Sequence, residues 1–206
     1  MEIRRVAVIG SGQMGTGMAQ VIARAGLDTI LMKMTEGPVE AGKQKIAKAL
    51  QRDVDKQRCT AEELEATLGR LSCTNKIHDL SECDLIIESV IEDLDEKRRL
   101  FARLEDVVNE SAIFATNTST LSVTALAEAT KRPTRVIGLH FFNPAPVMKL
   151  VEIVPTLRTD AAVVGAAEIF IERLKKTGVL IRDFTGFVVN RLLTPYMVYA
   201  MRTAQE

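Results

Sequence analysis

The chain has 206 residues, 47% of them apolar, enough to bury a full core as one large domain with at most a small appendage. Lys plus Arg and Asp plus Glu each total 27, so no net field favours nucleic acid or an anionic membrane, and any anionic ligand must be held locally. No apolar run reaches the roughly 18 residues of a membrane span, and MEIRRVAVIG enters a strand pattern without a cleavable apolar region, which makes the cytosol the expected location.

Strand-type apolar runs alternate with helical patterns along the chain. VAVIG at 6–10 precedes a helix over 13–25, TILM at 29–32 a helix over 38–57, and LIIES at 85–89 a helix over 94–108. This βαβ succession specifies a parallel sheet. The rhythm continues through AIFAT at 112–116, a short helix near 122–129, RVIGLHF at 135–141, KLVEIV at 149–154, a helix over 161–176 and VLIRD at 179–183. The closing segment opens at Gly186 with helical apolar spacing and a strongly apolar face that something ought to cover. Cys59, Cys73 and Cys83 are odd in number and lack metal-type spacing, so reduced thiols and no metal site are expected.

Directly after the first strand, Gly10-Ser11-Gly12-Gln13-Met14-Gly15 forms a G-x-G-x-x-G that opens a helix. Glycines there permit a tight turn and close backbone approach to a pyrophosphate, and the helix amino terminus supplies N–H groups and a positive dipole end. The strand-loop-helix context predicts dinucleotide binding on a Rossmann-type, doubly wound, mostly parallel α/β sheet. An acidic residue usually ends the second strand of such folds, where it binds the ribose hydroxyls and repels a 2'-phosphate. Here Lys33 stands in that place, and no carboxylate follows until Glu36, which is expected to begin a helix. A lysine can pair with a 2'-phosphate, which leans the reading toward NADP(H). The alternative is that Lys33 snorkels into solvent and NAD(H) binds through other contacts.

The segment from Val136 to Glu152 reads as strand, proline-rich turn, strand. A hairpin about Pro146 pairs residues whose numbers sum to 292, which sets His140 opposite Glu152. Directly opposed β-carbons lie within about 5.5 Å, so imidazole and carboxylate can hydrogen-bond. Alcohol oxidation needs a group that removes the hydroxyl proton and returns it in reverse. Histidine, with an unperturbed pKa of about 6.5, suits both directions, and a carboxylate stabilises its imidazolium. Two polar clusters, Asn117-Thr118-Ser119-Thr120 after the strand at 112–116 and Asn190 on the last helix, lie where strands end; from spacing alone they read as turn and capping chemistry. His78 sits in a polar connection and reads as a surface residue.

The series VAVIGSGQMGTGMAQ, IIESVIEDLDEKRRLF, FATNTSTLSV, VIGLHFFNPAPVMKLVEIV and TGFVVNRLL resembles the 3-hydroxyacyl-CoA dehydrogenases, particularly the short-chain 3-hydroxybutyryl-CoA type, in order and spacing over essentially all 206 residues. The resemblance implies an acyl-CoA substrate, with His140 as catalytic base, Glu152 as its partner, and Ser119 and Asn190 bonding the substrate oxygen and orienting the histidine. It implies that Gly10, Gly12, Gln13, Met14, Gly15, Lys33, Glu92, Lys97, Asn117, Ser119 and Asn143 serve the nicotinamide cofactor. It also sets Lys56 toward the coenzyme A moiety, on a helical hairpin where Arg52, Lys56 and Arg58 offer a local cationic face; a solvated charged surface is the competing explanation. Three departures stand out: Lys33 in place of the acidic residue, Thr185 where proline usually precedes Gly-Phe, and no further half-domain of helices. The resemblance divides the chain into a dinucleotide-binding catalytic domain over 1–184 and, over 185–206, the first helix of a C-terminal helical domain. That domain carries a cofactor-contacting lysine and the homodimer interface in the family. The expectation is therefore a fragment, or another chain covering Phe187, Leu192, Leu193, Tyr196 and Tyr199.

Overall fold

Short runs of Val, Ile and Leu bounded by polar turns give strands whose side chains are apolar in both directions, the pattern of a sheet covered on both faces. The computed structural model describes residues 2–206. Eight strands, β1 (Arg5–Ile9), β2 (Asp28–Met32), β3 (Leu71–Thr74), β4 (Leu85–Glu88), β5 (Ile113–Thr116), β6 (Val136–Phe141), β7 (Leu150–Pro155) and β8 (Thr177–Leu180), form one sheet in the order β3-β2-β1-β4-β5-β6-β7-β8. Every neighbouring pair is parallel except β6 and β7. The chain winds one way from β1 to β3 and the other way from β4 onward, so a crevice opens at the carboxyl ends of β1 and β4.

Seven α-helices accompany the strands: α1 (Gln13–Arg24), α2 (Ala41–Asp55), α3 (Ala61–Gly69), α4 (Leu94–Glu105), α5 (Val123–Ala127), α6 (Ala161–Arg173) and α7 (Val189–Gln205). Alternation along β1 shows how they are shared between faces. Val6 and Val8 join a core with Met18, Ile22, Ile46, Leu50 and Phe170 of α1, α2 and α6. Ala7 and Ile9 join the opposite core with Leu100, Phe101 and Leu126 of α4 and α5. All three cysteines are free.

Four segments differ from the sequence expectation. The helix expected over 38–57 starts only at Ala41: Gly37 takes a left-handed φ of +106° and residues 35–37 bend, so Glu36 begins no helix. Past Asp55 the chain turns through Gln57 and restarts as α3, which Thr60 and Glu63 open with a reciprocal capping box. β3 escaped the pattern because it is a four-residue edge strand, LSCT, whose Ser72 is exposed. The expected strand over 179–183 is displaced to Thr177–Leu180; backbone pairing with β7 sets its limits, and Gly178 packs where a β-carbon would come within 2.8 Å of Ile153 Cδ1. Of the apolar stripe expected at the chain's last segment, Leu192, Leu193, Tyr196 and Tyr199 are exposed on α7, which buries none of its residues, whereas Phe187 precedes the helix and is itself buried against His140.

Phe101 is fully buried and stacks on Phe114 with ring centroids 5.4 Å apart. Phe101→Ala is expected to lower stability by about 3–5 kcal/mol, read as a shift of the urea midpoint at unchanged slope.

Candidate active site

The first strand delivers the chain into a turn that only glycine can make. Gly10 has φ +113°, and a β-carbon there would stand 2.2 Å from Ser89 O; at Gly15 it would stand 1.7 Å from Gly10 O. At Gly12, by contrast, a β-carbon would meet nothing within 4 Å, because this residue faces the open cleft. α1 begins with no side-chain cap and no acidic residue in its first turn, so its amino end and dipole face that space. The arrangement fits a pyrophosphate cradle. The cleft beside it, about 880 Å³, is lined by Gly10, Ser11, Gly12, Lys33, Lys45 and Ser89, among others. Met14 packs on the core behind the loop, while exposed Gln13 donates from Nε2 to Asn143 Oδ1 at 3.1 Å, tying the loop to the turn after β6.

Lys33 lies in this cleft without extending into it. Its Nζ donates to Thr35 O (3.1 Å), Thr35 Oγ1 (2.6 Å) and Glu36 O (2.5 Å). An ammonium has three protons, so its donors are all engaged in folding the loop after β2.

The antiparallel register pairs His140 with Glu152, and Nδ1 lies 2.6 Å from Glu152 Oε2. The imidazole is 6% exposed and the glutamate 1%. An ionised carboxylate only accepts, so against one Nδ1 is the donor, and Nε2 is the ring nitrogen turned away from the glutamate. Phe142 and Phe187 close over the ring at centroid distances of 4.5 and 5.5 Å. The second carboxylate oxygen, Oε1, accepts from Val188 N and Val189 N, each at 3.0 Å, where α7 begins. Glu152 therefore joins His140 to a helix amino terminus, an anion in the field that favours it.

A second polar junction stands at the ends of β4 and β5. Glu88 is 0% exposed and accepts from Lys97 Nζ (2.6 Å), Val90 N (2.7 Å) and Thr116 Oγ1 (2.8 Å). Lys97, 1% exposed, also lies 3.2 Å from Glu92. Glu92 Oε1 accepts from the Thr118 hydroxyl and from Ser119 N (2.9 Å), with Ser119 Oγ at 3.4 Å. Burial pushes the Glu92 carboxyl up, but the Thr118 hydroxyl, the Lys97 charge and the Ser119 amide outweigh it and hold the pKa below the ordinary value. Lys97 therefore meets this site through Glu92 and Glu88, its charge already committed.

Asn190 Nδ2 reaches Ser119 O at 3.4 Å, and among the described residues no hydrogen bond joins it to His140. Asn117 ties the end of β5 to both neighbouring strands: its Oδ1 accepts from Phe141 N of β6 at 2.9 Å and its N donates to Glu88 O of β4 at 2.9 Å. Arg52 and Lys56 are exposed at the carboxyl end of α2. Sequence reasoning missed Glu88, Phe187 and the α7 amides. A signal for Glu88 existed: Lys97 falls on the buried stripe Lys97, Leu100, Phe101 and Leu104 of α4, and a lysine there demands a buried anion.

Glu88→Gln leaves the Lys97 charge without its main partner and is expected to destabilise the fold by about 3–5 kcal/mol, measurable by urea unfolding. Glu92, whose folded pKa is lowered, contributes stability fully above its unfolded pKa of about 4.3 and loses it as pH falls through the lower folded value. Glu92→Gln should therefore be less stable than the parent at pH 7, and the gap should narrow toward pH 3; a gap independent of pH would contradict this assignment.

Residues 5–184 match the family described as 3-hydroxyacyl-CoA dehydrogenase, NAD binding domain. A 3-hydroxybutyryl-CoA dehydrogenase of Mycobacterium tuberculosis is 45% identical over 205 residues, covering 98% of this chain and 72% of the relative. The crystal structure of M. tuberculosis FadB2 superposes with a TM-score of 0.96 at 44% identity, covering all of this chain and 73% of that one. The 3-hydroxybutyryl-CoA dehydrogenase of Escherichia coli K12 gives a TM-score of 0.96 at 41% identity, over all of this chain and 43% of that one. With its glycine cradle, paired histidine and glutamate, and sheet order, this chain belongs to the 3-hydroxyacyl-CoA dehydrogenase family.

Proposed function

We propose that the chain exchanges hydride between a nicotinamide cofactor and C3 of a short-chain 3-hydroxyacyl-CoA, interconverting 3-hydroxybutyryl-CoA and acetoacetyl-CoA. The observation that carries the reading is the buried His140–Glu152 pair beside a glycine cradle, together with relatives named for that substrate. The bound nicotinamide supplies the hydride acceptor in oxidation and the donor in reduction. His140 Nε2 takes the C3 hydroxyl proton in oxidation and returns it to the ketone oxygen in reduction. Glu152 fixes the tautomer through Nδ1 and stabilises the imidazolium. Phe142 and Phe187 keep water from the ring, which strengthens the charge interaction.

Ser119 and Asn190 hold the substrate oxygen, a role supported by the Asn190 amide reaching the Ser119 carbonyl. Glu92, Lys97, Asn117 and Asn143 shape the nicotinamide end of the crevice, and Arg52 and Lys56 serve the coenzyme A phosphates. Lys33 leans the cofactor preference toward NADP(H), provided its ammonium exchanges a loop oxygen for the 2'-phosphate. The uncovered α7 favours a second reading, in which this length of chain binds dinucleotide and coenzyme A and turns over little until that face is covered. Residues 185–206 are then the first helix of a C-terminal helical unit that also makes a homodimer.

Acetoacetyl-CoA added with NADH or NADPH should consume the reduced cofactor, followed by its ultraviolet absorbance. His140→Ala should lose about 10²-fold or more in rate. Binding of both ligands without turnover would select the second reading, and inertness toward both would sink the first. Lys33→Asp should move preference toward NADH; an unchanged NADH to NADPH ratio would remove Lys33 from cofactor choice.

A further inference from the structure

Lys45 is the one cation that lines two adjacent clefts on the ligand side of the sheet. In the larger it stands with Gly10, Ser11 and Gly12 of the phosphate cradle. In the smaller, a groove of about 190 Å³, it stands with Gln13, Thr16, Ala49 and the Asn143–Pro146 turn that follows His140's strand. Its position is fixed by packing. Gly42 lets α2 press on β2, since a β-carbon there would meet Leu31 Cδ2 at 2.4 Å, with Thr16 Cγ2 of α1 in ordinary contact at 3.6 Å. Ile46 and Leu50 anchor the same helix in the core, which leaves Lys45 on the rim between the clefts.

Among the described residues Lys45 has no hydrogen-bond or ion-pair partner, whereas Lys33 spends all three donors on its own loop. On α2, Ala49, Arg52 and Lys56 follow Lys45 at intervals of four, three and four, the spacing of one helix face. A cationic face of Lys45, Arg52 and Lys56 therefore starts at the two clefts, where Lys45 stands, and continues to the carboxyl end of α2.

We propose that Lys45 is a binding residue shared by both ligands, meeting the dinucleotide pyrophosphate on one side and the phosphorylated arm of the acyl-CoA on the other, and offsetting the repulsion between these anions. The inference rests on the assignment of the two ligands under Proposed function. It explains how a chain with no net charge brings two polyanions side by side: it concentrates one unpartnered cation where they meet.

The test measures dissociation constants directly, NADH by fluorescence titration and free coenzyme A by calorimetry, on the full chain. Lys45→Met should raise both constants by on the order of tenfold, the value of one charge-assisted contact. Lys45→Arg should recover most of the loss, and Lys48→Met, on the same helix but lining neither cleft, should change either constant by less than about twofold. If Lys45→Met weakens only one ligand or neither while the parent binds both, the sharing role is overturned and the functional reading stands. If the parent binds neither ligand, both fall together.

Discussion

A single contact, His140 Nδ1 to Glu152 Oε2 at 2.6 Å, depends on the one antiparallel pairing in the sheet. Parallel strands bring only their carboxyl ends to the crevice. A hairpin brings the end of β6 and the start of β7 there together, so His140 and Glu152 both sit on hydrogen-bonded strands, held more tightly than loops can hold them. The arrangement tolerates no slip, because a shift of one residue turns every side chain to the opposite face. Gly138 secures it: a β-carbon at that position would fall 2.9 Å from both Val123 Cγ2 and Val154 Cβ, so only this residue lets β6 nest between α5 and β7.

The two oxygens of Glu152 meet different parts of the structure. One orients the imidazole, and the other receives the first amides of α7. Gly186 and Phe187 both adopt positive φ, +75° and +51°, a conformation that costs a bulky residue such as phenylalanine of order 1–3 kcal/mol. The strained turn drops the Phe187 ring against His140 and aims the following amides at the glutamate. This anchoring explains how α7 is placed although it buries nothing. Its docking is polar and local to its first turn, whereas α1 and α6 are held by apolar stripes.

Legibility from sequence followed period and spacing. The β1-loop-α1 unit was readable because its glycines fall at fixed spacing between a strand and a helix, two of them, Gly10 and Gly15, under steric demand, and the His140–Glu152 pairing because a hairpin centred on Pro146 has a single register. The junction of Glu88, Lys97 and Glu92 was harder. Its members are scattered over β4, a loop and α4, and no periodic signal links a carboxylate to a lysine nine residues on unless the burial of both is known. Asn190 meeting Ser119 was beyond local pattern altogether: the contact joins residues 71 apart and depends on where the turn at Gly186 sends the chain. Edge strands β3 and β8 were misplaced or missed because backbone pairing, not side-chain alternation, defines a strand with one neighbour.

Lys33 shows how a reversed charge changes the logic of a site rather than one contact. A carboxylate at the end of β2 would accept from ribose hydroxyls and repel a 2'-phosphate. The lysine instead gathers Thr35 O, Thr35 Oγ1 and Glu36 O around its ammonium, so the loop after the strand curls back with its carbonyl dipoles turned inward. Against NAD(H) this clamp has no reason to open, and the ribose hydroxyls must find other partners. A 2'-phosphate offers a full anionic charge in place of a neutral carbonyl, which adds ion pairing to a bond whose donor is already charged. A 2'-phosphate bound here would have to displace a loop oxygen from the ammonium, so its net gain would be the difference between a phosphate and that oxygen as partners for the same proton, reduced by whatever order the loop surrenders.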